Sequence, residues 1–69
     1  MSQLARRLIS EKIKKLRSKL GLNREELSLR LDLDNSYISK LEKCRVNITV
    51  DRLEMIANFF GIHIREFFE

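Results

Sequence analysis

Apolar residues recur along this chain at the three- and four-residue spacing of buried helical faces, without the alternation of strands. Ile9, Ile13, Leu16 and Leu20 form one such stripe, and Leu4 and Leu8 extend it towards the N-terminus. The spacing predicts a first helix from about Gln3 to Leu20, stopped at Gly21, where glycine takes the left-handed conformation without strain. Asn23 is the expected N-cap of a second helix, Arg24 to Leu31, with Glu26 completing a capping box and Leu27 and Leu31 inward. Asp32-Leu33-Asp34 breaks it, and Asp34 is expected to cap a third helix, Asn35 to Lys43, with Ile38 and Leu41 inward. Cys44 to Ile48 reads as a loop. Thr49 then caps a fourth helix with Asp51 in its first turn, Leu53, Ile56, Ala57 and Phe60 inward, and Gly61 as its stop. A fifth, short helix is expected over Ile64 to Phe68. The predicted fold is all-α, a compact five-helix bundle forming a single domain over residues 1–69.

Two of these helices carry a more specific pattern, because they are short and only three residues apart. With Arg24 as the first residue of a window, apolar side chains fall at positions four, eight, ten, fifteen and eighteen: Leu27, Leu31, Leu33, Ile38 and Leu41. Those positions pin two helices at a fixed angle, and the fifth, where the helices cross closely, is the small Ser28. The segment from about 24 to 43 therefore reads as a helix-turn-helix.

Composition narrows the alternatives. A chain of 69 residues buries only about 60% of its unfolded surface and needs support beyond its core. One cysteine, Cys44, and one histidine, His63, give neither a zinc site nor an intrachain disulfide, so no metal or cofactor is expected. Efficient helix packing or self-association remains as the source of that support. A lone thiol suits a reducing cytoplasm, although Cys44 lies among basic residues and an oxidant-sensing role is the competing reading. There is no apolar run of the roughly 18 residues that a membrane span requires. The basic, partly apolar start has features of a transit peptide, against which Glu11 and its direct run into the domain argue. No nucleophile–base pair or small-molecule site stands out, which argues against an enzyme.

The net charge of +4 is unevenly spread: residues 1–45 carry +6 and residues 46–69 carry −2. One end thus suits a polyanion, whereas the other is apolar and mildly acidic. The competing reading of the basic end is a solvated helical surface, and Arg6, Arg7, Lys12, Lys14, Lys15 and Lys19 are expected to decorate such a wet face.

The stretch from Leu20 to Glu69, with SYISKLE followed by LEMIANFFGI, resembles the Cro and lambdoid-repressor class of helix-turn-helix proteins, the XRE-type family. The likeness runs from about Ile9 to the C-terminus. RVNITVDRLEMI most resembles the controller proteins of restriction-modification systems. The resemblance implies a lambda-repressor-like DNA-binding fold with helices two and three as the helix-turn-helix. It also implies a dimeric transcription regulator acting on a pseudo-palindromic operator in double-stranded DNA. The chain departs from the family at four positions: Asp32 and Cys44 stand where glycine is usual, Ile48 where proline is, and Arg24 where glutamine is.

The N-terminal part of a recognition helix enters the major groove, so Asn35, Ser36 and Lys40 are the base-edge candidates, and the resemblance puts the same three at the bases. Arg24, at a helix N-terminus, together with Ser39, Lys43, Arg45 and Asn47, is expected at the phosphates, where contacts orient rather than specify. Lys43 and Arg45 read equally well as solvated loop charges, and Tyr37 either packs or reaches a phosphate. Arg17 and Glu42 resemble a family ion pair with a structural role. Phe59, Ile64, Phe67 and Phe68 are too many apolar groups for so small a monomer to bury, which predicts a homodimer patch in a C-terminal segment of about 59–69. The competing function is an antitoxin-like protein-interaction module that uses the same fold to hold a partner.

Overall fold

The computed structural model describes residues 2–69. Four α-helices follow in order, α1 (Gln3–Lys19), α2 (Arg24–Arg30), α3 (Tyr37–Glu42) and α4 (Val50–Phe60), and no strand occurs among the described residues. The fifth element, Ile64–Phe68, is a 3-10 turn where a helix was expected. His63 caps it, its side chain accepting from the Arg65 N–H while its own N–H donates to Glu66. Five residues offer too few α-type bonds to recover the cost of helix nucleation.

Local chemistry accounts for most helix starts. Ser2, Asn23 and Thr49 each accept a backbone N–H three residues on, and Asn23 and Glu26 form the reciprocal capping box. Helix α3 is the exception and begins two residues later than expected. Asp34 does not cap it. Its carboxylate instead accepts from Ser36, and its carbonyl from the Tyr37 N–H at 2.9 Å, so residues 34–37 form a turn that precedes the helix.

All four helices end in the same paired arrangement, in which a left-handed residue and the next one donate back to two of the last carbonyls. The pairs are Gly21 and Leu22 on α1, Asp32 and Leu33 on α2, Cys44 and Arg45 on α3, and Gly61 and Ile62 on α4. Each requires a left-handed residue, with φ of 69°, 59°, 59° and 70° at Gly21, Asp32, Cys44 and Gly61. The next residue is apolar and at least partly buried in three cases, Leu22, Leu33 and Ile62, whereas on α3 it is the exposed Arg45.

The core gathers Ile9 and Ile13 of α1, Leu27 of α2, Ile38 and Leu41 of α3, and Leu53, Ile56 and Ala57 of α4, closed by Leu22, Leu31, Ile48 and Phe67. Leu4 and Leu20, expected on the buried face of α1, are exposed because they lie at its two ends, beyond the elements packed on its middle. Leu22, beyond the glycine, is buried, and Ile48 brings the loop before α4 into the core. Phe60 is half-buried against that core and meets Phe59 edge to face at 5.2 Å. Phe67 is fully buried, which corrects its assignment to a dimer patch: the 3-10 turn packs against α1 and α4 and carries Phe67 inward.

Candidate nucleic-acid interface

Helix α3 has six residues, too few to be stable alone, so neighbouring elements must set its orientation. Ile38 and Leu41 anchor its inner side in the core. Helical geometry places Ser36, Lys40 and Lys43 along the opposite side, since they lie three and four residues apart and out of phase with the buried pair.

Two polar devices lock this rod in place. Ser28, fully buried on α2, accepts from the Ile38 N–H at 3.1 Å and donates to the Arg24 carbonyl at 2.9 Å. A larger residue would hold the helices apart, and an apolar one would leave the Ile38 N–H without a partner. At the other end of α3, the Glu42 side chain is only 4% exposed. Arg17 of α1 reaches it with two donors at 2.8 and 3.2 Å and gives a third hydrogen bond to the Leu22 carbonyl at 2.8 Å. Arg24 of α2 adds its Nε at 3.1 Å. The buried carboxylate is thus met by two guanidinium groups, as a desolvated charge requires, and three helices are tied at one point.

The phosphate candidates are not equally free. Arg24 is half-exposed but turned towards Glu42, while Lys43 and Arg45 are exposed and Ser39 is partly buried. The Asn47 side-chain oxygen accepts from Arg6, so Arg6, expected on a wet face, instead ties the start of α1 to the loop before α4. Nothing in the sequence spacing announces that contact. Tyr37 packs against the core, and the Arg52 guanidinium lies over its ring at 5.1 Å. Among the base candidates, Asn35 and Lys40 are exposed and Ser36 is half-buried. The Ser36 hydroxyl beside Asp34 holds that carboxyl below its ordinary value, so it stays ionised at neutral pH. Cys44 sits with its sulfur 3.5 Å from the Ser10 hydroxyl of α1.

Of the dimer candidates, Phe59 and Phe68 are exposed and Ile64 is partly buried. Met55 is exposed as well and was not singled out by the sequence. No cluster of His, Cys, Asp or Glu suited to a metal occurs among the described residues, and no described helix is long and apolar enough to cross a membrane.

Comparison with known proteins matches residues 13–67 to a helix-turn-helix family profile, HTH_3. Control protein C.BamHI of Bacillus amyloliquefaciens is 30% identical over 67 residues, spanning 96% of this chain and 83% of that protein. Control protein C.MunI of a Mycoplasma species is 38% identical over 58 residues, spanning 83% of this chain and 78% of that protein. The crystal structure of a hypothetical transcription factor, NHTF from Neisseria, aligns with a TM-score of 0.84 at 27% identity over 90% of this chain and 71% of that one.

Proposed function

The chain belongs to the helix-turn-helix family of the XRE type, and on that premise we propose that it is a transcription regulator that binds double-stranded DNA as a homodimer. The observation that carries this reading is the rigid mounting of α3, with Ser28 and the Arg17–Glu42–Arg24 cluster holding Lys40 and its neighbours on the outer side. Positioned contacts of this kind discriminate between bases, each good bidentate contact giving roughly 1–3 kcal/mol.

In this reading Asn35, Ser36 and Lys40 face base edges, and Lys40 favours the acceptors of guanine. Lys43 and Arg45 meet the flanking phosphates, joined by Ser39, by the free amide nitrogen of Asn47 and by the Arg24 nitrogens not spent on Glu42. Arg45 supports this directly, since it occupies a site that the other three helix ends fill with an apolar residue.

The exposed apolar residues near the C-terminus favour a dimer, and successive major grooves on one face of DNA lie about 34 Å apart. Two copies, joined through Phe59, Phe68 and the adjoining Ile64, would present two α3 helices to a pseudo-palindrome. The likeness to C.BamHI and C.MunI supports a role as a controller protein of a restriction-modification system.

Titrating selected and random duplexes in an electrophoretic mobility assay over a range of salt tests the reading. Affinity should fall steeply with salt. Lys40→Ala should weaken binding to the selected duplex about tenfold or more with its helical content intact. Equal loss on both duplexes would restrict Lys40 to phosphate, and no selectivity in the unaltered protein would remove the reading.

A further inference from the structure

We propose that Asp34 makes Ser36 an acceptor-only reader of the major groove, selecting adenine or cytosine over guanine or thymine on the strand it touches. The inference rests on the proposed role of Ser36 at a base edge. The Ser36 Oγ lies 2.5 Å from the Asp34 Oδ2, and the Ser36 N–H points to the same oxygen at 3.4 Å. An ionised carboxylate has no proton to give, so the short bond runs one way, from hydroxyl to carboxylate. An aspartate carboxyl is ionised at neutral pH, and the Ser36 bond lowers it further, so this direction holds there.

A serine hydroxyl has one proton and two lone pairs. With the proton committed to Asp34, only lone pairs remain for DNA. In the major groove, adenine N6 and cytosine N4 donate, whereas guanine presents N7 and O6 and thymine presents O4, all acceptors. An acceptor-only hydroxyl is therefore matched by the amino group of adenine or cytosine and faces lone pairs on guanine and thymine. The Asp34 carboxylate strengthens that exclusion, since it too repels acceptor edges.

The test is selection of bound duplexes from a random library with the unaltered protein, Ser36→Ala, Asp34→Ala and Asp34→Asn. The unaltered protein should enrich one column per half-site that Ser36→Ala flattens alone, and removing the major-groove amino group of that column's adenine or cytosine from the selected duplex should weaken the unaltered protein about tenfold but leave Ser36→Ala unchanged. Asp34→Ala frees the hydroxyl proton and should lower discrimination there about tenfold, the scale of one hydrogen bond to a charged group. Asp34→Asn, whose amide can accept from Ser36 but can also donate to it and carries no charge, should lower the preference by less than Asp34→Ala. Asp34 is exposed and its backbone bond to Tyr37 does not use its side chain, so thermal midpoints should show all variants folded. Affinity unchanged on removing that amino group, a column indifferent to Asp34→Ala, or no column sensitive to Ser36→Ala overturns the inference while leaving DNA binding intact. A library with no enriched sequence in any variant overturns the proposed function, and this inference with it.

Discussion

Helices α3 and α4 are neighbours in sequence but are specified by different means. Helix α4 is written locally: Thr49 caps it, Asp51 complements its dipole, four inward residues repeat at helical spacing, and Gly61 closes it. Helix α3 has no side-chain cap, only six residues, and non-glycine residues in the left-handed conformation before and after it, Asp32 and Cys44. What holds it comes from elsewhere, through Ser28 of α2, Arg17 of α1 and the core beneath Ile38 and Leu41. A helix supported from behind leaves its outer residues free of structural duty. For a reading element that is the useful arrangement, because Lys40 and Arg45 can vary with the target at little expense to the fold.

The contrast is most exposed at Glu42. Glu42→Ala strands the nearly buried Arg17 and should destabilise by about 3–5 kcal/mol, most of it from that arm because the half-exposed Arg24 contributes less. Chemical denaturation measures it, and a loss within about 0.5 kcal/mol, the usual range for surface sites, would show that α3 does not depend on the cluster. Ser28→Ala removes the acceptor for the Ile38 N–H and should cost about 1–3 kcal/mol by the same measurement.

The helix ends give a smaller effect with opposite signs. Cys44→Gly relieves a left-handed β-carbon and should stabilise by about 1 kcal/mol, with Asp32→Gly gaining less because aspartate tolerates that region better. Gly61→Ala should destabilise by about 1 kcal/mol, purely through φ, since a β-carbon there would meet nothing within 4 Å. Equal signs at Cys44 and Gly61 would erase the distinction between strained and relaxed ends. Smallest is the pH effect at Asp34. Its carboxyl is lowered on folding, so its contribution is present above the ordinary value of 3.8 and is lost as pH falls through the lower folded value. Asp34→Asn should lack that component of the acid limb, and an identical limb in both proteins would show that the Ser36 bond adds nothing to stability.

The same division explains what could be read in the sequence. The capping box at Asn23, the cap at Thr49 and the stops at Gly21 and Gly61 are local chemistry, visible in a few adjacent residues. The helix-turn-helix was legible because five apolar positions and one small one must coincide, and they do. Burial at the edges was less so. Helical spacing says which side Leu4 and Leu20 face but not whether anything covers it, and loop residues such as Leu22 and Ile48 carry no periodicity to mark them. Phe67 looked like surplus apolar area until the 3-10 turn folded it inward. Contacts across long separations, Arg6 with Asn47 and Arg24 with Glu42, depend on the assembled fold alone. The second of these changes the site, because it engages a charge that the sequence assigned wholly to phosphate.

The central claim is that the outer side of α3 enters the major groove. Chemical methylation of the bound, selected duplex tests it directly, because guanine N7 lies in the major groove and adenine N3 in the minor. Two patches of protected guanine N7 about one helical turn apart, lost in Lys40→Ala, are the predicted result. Protection of adenine N3 alone, with guanine N7 fully reactive, would contradict it.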